Sequence, residues 1–132
     1  MHDEHSNQTK ALDEVGALVV DACFCVHRAL GPGLLENVYE QCVAAELESK
    51  KLMVQRQVSL PVTYRELRLD AAYRIDLLVE DCVVVEIKSV AELVPVHQAQ
   101  LLTYLRLSGR RLGYLVNFNT LMIRNGIKRL IL

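Results

Sequence analysis

From Ala11 to Leu30, apolar residues return at helical spacing, with Leu12, Val15, Val19, Ala22 and Val26 on one side. That period predicts a first helix, and Gly31-Pro32-Gly33 ends it. A second helix is expected from Leu35 to Lys51, with Leu35, Val38, Tyr39, Cys42, Val43 and Leu47 facing the core. The period then changes to two. Val54, Val58, Leu60, Val62 and Tyr64 alternate with Gln55, Gln57, Ser59 and Thr63, as in a strand with one buried face. Pro61 has no N–H for a ladder, so this strand is expected at an edge or bent there. Tyr73–Val79 and Cys82–Ser89 are β-branched, apolar runs separated by Glu80-Asp81, which suits a tight turn. Pro95 opens a third helix that Gly109 stops, and Leu112–Asn117 reads as a strand. Leu121–Arg124, Asn125-Gly126 and Ile127–Leu132 are expected to form a terminal β-hairpin, because Asn-Gly is a strong hairpin turn. No repeat, low-complexity stretch or linker interrupts this order. The expectation is a single mixed α/β domain over residues 11–132, preceded by a polar tail, residues 1–10.

Composition narrows the class. The chain has 132 residues, 52% hydrophobic and 23% charged, which suits a folded domain with a real core. No apolar run reaches membrane-spanning length, and the polar start lacks a signal peptide's basic and apolar segments, so a cytoplasmic protein is expected. The four cysteines, Cys23, Cys25, Cys42 and Cys82, form no Cys-x-x-Cys pair and read as buried, reduced thiols. Fifteen Lys and Arg against sixteen Asp and Glu leave a net charge of −1, which excludes a general polyanion binder. The clusters Arg106/Arg110/Arg111 and Arg124/Lys128/Arg129 read as helix-end placement and strand polarity.

Candidate chemistry centres on Asp76 and on Glu86-Ile87-Lys88. Strand alternation puts Glu86 and Lys88 on one face and Val83, Val85 and Ile87 on the other. A hairpin between the two runs brings Asp76 to the same face. Two carboxylates and an amine there would suit a hard divalent cation beside a phosphate; a solvated ion pair is the plain alternative. Glu36 in the first turn of the second helix is explained by the helix dipole alone, and Tyr39 by core packing. Gln100 and Tyr104 share a face of the third helix, as a solvated side with an interfacial tyrosine also would. His97 suits either the site or the surface, while His27 at a helix end reads as structural. Asn117 and Asn119 are expected to shape a turn around Phe118.

Together these segments resemble a known family. Gly33-Leu34-Leu35-Glu36-Asn37-Val38-Tyr39 matches the pattern that names the GxxExxY family, similar to a compact branch of the PD-(D/E)XK nuclease superfamily. The resemblance runs from His27 to Leu132 and includes His27–Gly33, the Asp76 strand, Val85–Lys88, Pro95–Tyr104 and Asn117-Phe118-Asn119. It implies a restriction-endonuclease-like core, a central mixed β-sheet flanked by helices. It further implies that Glu36, Asp76, Glu86 and Lys88 are catalytic, with Gln100, Tyr104 and Tyr39 supporting. Asp76, Glu86 and the Ile87 carbonyl would hold Mg²⁺ or Mn²⁺, and nucleic acid, DNA first, would be the substrate. The alternative is a catalytically silent binding or assembly module acting as a homodimer or with a protein partner. An acid/base hydrolase using Glu36 and Glu86 ranks last, because it leaves Lys88, Gln100 and Tyr104 without a role.

Overall fold

The computed structural model describes residues 4–132, with side chains from residue 11 onward. The polar stretch 1–10 lies outside the described side chains. Two helices, α1 (Glu4–Leu30) and α2 (Glu36–Ser49), precede three strands, β1 (Val54–Tyr64), β2 (Leu67–Val79) and β3 (Val83–Lys88). Then come α3 (Pro95–Ser108), β4 (Leu112–Asn117), a 3₁₀ turn (Ile123–Gly126) and β5 (Ile127–Ile131). The five strands form one sheet in the order β1-β2-β3-β4-β5. Only β3 and β4 pair in parallel, joined by α3 as a crossover. The central strands β3 and β4 are buried along nearly their whole length, which is why both read as continuous apolar runs.

Helices cover both faces. Leu12, Val19, Ala22 and Val26 of α1 and Tyr39, Val43 and Leu47 of α2 pack on Leu77, Val79, Val83, Val85, Ile87 and Val116. Leu101, Tyr104 and Leu105 of α3 pack on Leu60, Ile75, Leu78, Val84 and Leu115 on the opposite face. Glu80 and Asp81 both take positive φ (51° and 55°), and the Cys82 N–H donates to the Val79 carbonyl at 3.0 Å. The expected tight turn therefore forms and sets the β2–β3 register. Pro61 also behaves as expected: β1 is an edge strand whose register shifts between Leu60 and Val62.

Four expectations are corrected. β2 begins at Leu67 rather than Tyr73, so β1 and β2 make a long arm whose outer half is exposed. The buried side of α2 is Tyr39, Glu40, Val43, Ala44 and Leu47, with Leu35 76% and Val38 38% exposed. The helix is turned so that Glu40 meets the open end of the sheet, where Arg56 and Gln57 satisfy it. Cys25 is exposed and Cys42 and Cys82 half-buried; only Cys23 is fully enclosed, its thiol pushed up to about 12 by burial. Finally, the strand partner of β5 is β4, not residues 121–124. Asn125-Gly126 lies in the 3₁₀ turn that carries the chain across, anchored by buried Ile123, while Leu121 is 91% exposed.

Gly126 packs directly against the Asn117 backbone carbonyl, so a Cβ there collides with main chain rather than with a side chain that can move aside. Gly126→Ala should lower stability by about 1–3 kcal/mol, the usual range for overpacking a closed site. Urea unfolding checks this, and an unchanged midpoint would count against the close approach.

Candidate functional site

The β2–β3 ladder stops at Leu77↔Val85, one residue short of Asp76 and Glu86. Beyond it, side chains replace the main-chain ladder. The Asp76 N–H donates to Glu86 Oε1 at 3.1 Å, and the Ile87 N–H donates to Asp76 Oδ2 at 2.8 Å. Alternation slips at the same place: Leu77 and Val79 face α1 and α2, whereas Ile75 and Leu78 both face α3. Each acid is thus gripped by the other strand's backbone, and Ile87 lies past the ladder on its β2 side. On its other side β3 stays paired, since the Phe118 N–H donates to the Lys88 carbonyl at 2.9 Å.

A third acid enters from α2. Glu40 is 4% exposed. Its Oε2 accepts from Arg56 Nη2 at 2.8 Å and Nε at 3.1 Å, and its Oε1 accepts from Gln57 Nε2 at 2.6 Å. The same Gln57 amide reaches Asp76 Oδ1 at 3.4 Å, and Gln57 holds a φ of 55° to do so. Glu36 lies one turn earlier on the same side of α2, exposed, with Oε1 3.4 Å from the Ser89 N–H. Sequence reasoning chose Glu36 and passed over Glu40. The available signal was an acid one turn from core residues Val43 and Ala44 and two turns from Leu47, inside the buried stripe rather than beside it.

Charge crowding follows from this packing. Burial and the neighbouring Asp76 carboxylate push Glu86 up to about 8, while burial and Glu40 push Asp76 up to about 6; Lys88 opposes both shifts. Lys88 is half-buried, and its ammonium has no hydrogen-bond or ion-pair partner among the described residues. Tyr104 is 5% exposed, and burial together with the Glu86 and Asp76 charges pushes its phenol up to about 12, so it stays a donor. Gln100 stands beside it and opposes the shift.

The remaining candidates each make contacts that hold the backbone around the site. Tyr39 lies in the α1–α2 core, stacked on Phe118 with centroids 4.4 Å apart; its hydroxyl donates to the Gly31 carbonyl and accepts from the Leu34 N–H. It holds the loop before α2, where Gly33 takes a φ of 97° that suits a residue without Cβ. Asn117 bonds Val90 through both N–H and carbonyl, and accepts from the Asn119 N–H, fixing the chain that leaves Lys88. His97 Nδ1 accepts from the Val94 N–H at the start of α3, and His27 Nε2 lies 2.8 Å from the Thr120 carbonyl. Arg110 pairs with Asp81 and Arg129 with Asp13, so one member of each basic cluster is committed to an ion pair.

No group of three or more His, Cys, Asp or Glu among the described residues is arranged as a ready metal cage. The donor set nevertheless suits a hard cation. Two acids are held together against their repulsion, Glu86 Oε2 has no bond among the described residues, and Asp76 Oδ1 has only the long one from Gln57.

Because Asp76 and Glu86 bind protons more tightly folded than unfolded (about 4 for a free carboxyl), the native state holds extra protons from about pH 4 to 8. Stability of the metal-free protein should therefore fall as pH rises through that window. Melting temperatures in EDTA between about pH 5 and 8 test this, with Glu86→Gln flattening the slope; stability that rises with pH would contradict the crowding.

Neither a curated protein nor a solved structure gives a significant match to this chain. A family description does: PD-(D/E)XK nuclease superfamily, over residues 13–130, a span that takes in both sheet faces and every residue of the opened ladder. The chain belongs to the PD-(D/E)XK nuclease superfamily.

Proposed function

We propose that this protein is a metal-dependent nuclease that hydrolyses phosphodiester bonds of DNA, and that it falls in the GxxExxY branch of its superfamily. The observation that carries the reading is the convergence of Asp76, Glu86 and Lys88 where the β2–β3 ladder opens. Members of the superfamily usually use divalent metal ions.

Asp76, Glu86 and the Ile87 carbonyl would hold Mg²⁺ or Mn²⁺, which, when bound, supplies charge to polarise the scissile phosphate. Lys88, unpaired and at the strand end, would place its ammonium against the charge that develops on the phosphoryl oxygens. Both Glu40 oxygens are already occupied by Arg56 and Gln57. Glu40 therefore acts as a positioning residue, steering Asp76 through Gln57. Glu36 has an oxygen free and faces solvent, so it is the better group to take a proton from the attacking water. Tyr104, kept protonated, donates a hydrogen bond towards Glu86 or the phosphate, with Gln100 orienting it.

Labelled single- and double-stranded DNA and RNA, incubated with Mg²⁺ or Mn²⁺, test the proposal. Lys88→Ala and Asp76→Ala should each lower cleavage by about 100-fold or more. Glu36→Gln should lower kcat at unchanged metal requirement, whereas Glu40→Gln should raise the half-saturating Mg²⁺ concentration by about 10–100-fold. No cleavage by folded wild-type protein on any substrate would remove the nuclease reading.

Metal binding offers an independent check. A cation must displace the proton that Glu86 retains near neutral pH, so Mg²⁺ binding at pH 7 should release up to about one proton. Calorimetry in buffers of different ionisation enthalpy measures this, and binding without proton release would argue against Glu86 as a ligand.

A further inference from the structure

We propose that Tyr73, Val96, Ala99, Gln100, Thr103 and Tyr104 form a subsite for one unpaired nucleobase, directing the site to single-stranded nucleic acid. These residues line a cavity of about 350 Å³ between the β1–β2 arm and α3. Its wall is the Tyr73 ring, 46% exposed and tilted 48° from Tyr104 at 5.8 Å. Its floor is Val96, 67% exposed, and Ala99. An open aromatic face over an apolar floor is the surface on which a base stacks, whatever its identity. On the rim, Thr103 Oγ1 already donates to the Ala99 carbonyl, while the Gln100 amide, one group of which meets the Tyr104 phenol, keeps its other group for a base edge.

Position links the cavity to the chemistry. Tyr73 lies on β2 just ahead of Asp76, and Tyr104, which also lines the cavity, is close enough to Glu86 and Asp76 to feel their charges. This placement rests on the nuclease reading, since it sets the base beside the phosphate that Asp76 and Glu86 address. Arg74, next to Tyr73 and two residues from Asp76, is exposed and has no ion-pair partner among the described residues. Alternation along β2 turns Arg74 to the face opposite Tyr73, where its guanidinium is open to a backbone phosphate and not to the seated base. A base inside a duplex is already stacked and paired, so its face does not reach Tyr73 without extrusion. Charge points the same way. With a net charge of −1, the protein lacks the overall positive charge that holds duplex phosphates, so stacking must carry much of the affinity.

The test is fluorescence anisotropy in EDTA, where no cleavage occurs, with labelled oligothymidylate, oligouridylate and a hairpin duplex. Wild type should bind the single strands more tightly than the duplex and with a shallow salt dependence. Tyr73→Ala should weaken single-strand binding by about 5–100-fold, the range for losing one stacked base, and Tyr73→Phe should keep it. Val96→Glu provides a second variant: an acid in the first turn of α3 suits the helix dipole, yet replaces an apolar lining residue with negative charge and should weaken binding at least about 5-fold. Equal affinity for duplex and single strand, no binding by wild type, or wild-type affinity in Tyr73→Ala and Val96→Glu would overturn the subsite. Cleavage that ignores Tyr73 sinks the subsite and leaves the nuclease. Binding through Tyr73 without any cleavage does the reverse.

Discussion

In an antiparallel pair, main-chain groups normally satisfy one another to the strand ends. Here β2 and β3 do so only as far as Leu77↔Val85. Past that pair, two carboxylates take over as acceptors for the N–H groups of Asp76 and Ile87. The exchange leaves no amide stranded, which is the condition for opening a ladder inside a folded domain. It also holds two acids side by side, mostly buried, in spite of their repulsion. The rest of the site depends on this arrangement. The Glu80-Asp81 turn sets the register that brings residue 76 opposite residue 86, and β4 keeps β3 straight from the far side.

Support around the acids comes from residues whose work is positional. The Arg56–Glu40–Gln57 group ties α2 to the edge strand and ends on Asp76. Glu40 is buried while Arg56 is exposed, so losing Arg56 would leave a buried carboxylate held by Gln57 alone, and the group resists displacement. Asn117 clamps Val90 and so directs the chain that follows Lys88. The stack of Tyr39 on Phe118 fastens the glycine loop before α2 to the end of β4. Ser89 adds a bond to the Leu34 carbonyl at 2.7 Å. Lys88 is thereby bracketed by fixed backbone while its own ammonium stays free.

The β1–β2 arm gives the site a direction. Cross-strand pairs Leu60↔Tyr73, Val62↔Leu69 and Tyr64↔Leu67 continue one apolar face from the α3-side core out to solvent. At its base that face meets Tyr104, and with it the opened ladder. Tyr73 thus links an exposed surface to buried chemistry through a single aromatic contact.

The mixed α/β domain, the three helices, the edge position and bend at Pro61, the turn at Glu80-Asp81, and the grouping of Asp76, Glu86 and Lys88 are all legible along the chain. All of these follow from local rules: periods of 3.6 and 2, turn chemistry, and alternation along a strand. Which acid of α2 turns inward depends on long-range packing, since Glu36 and Glu40 lie one turn apart on the same side and differ only in what each meets. The fate of Asn125-Gly126 was settled in the same way. A local hairpin signal gave way to the longer β4–β5 pairing, whose packing against Asn117 leaves room for glycine alone. The start of β2 at Leu67 was invisible because its outer residues pack against β1 rather than into a core, so burial left no period to read. Contacts between residues far apart in the chain set the ladder's stopping point and the cavity at Tyr73, and a linear pattern carries no record of them.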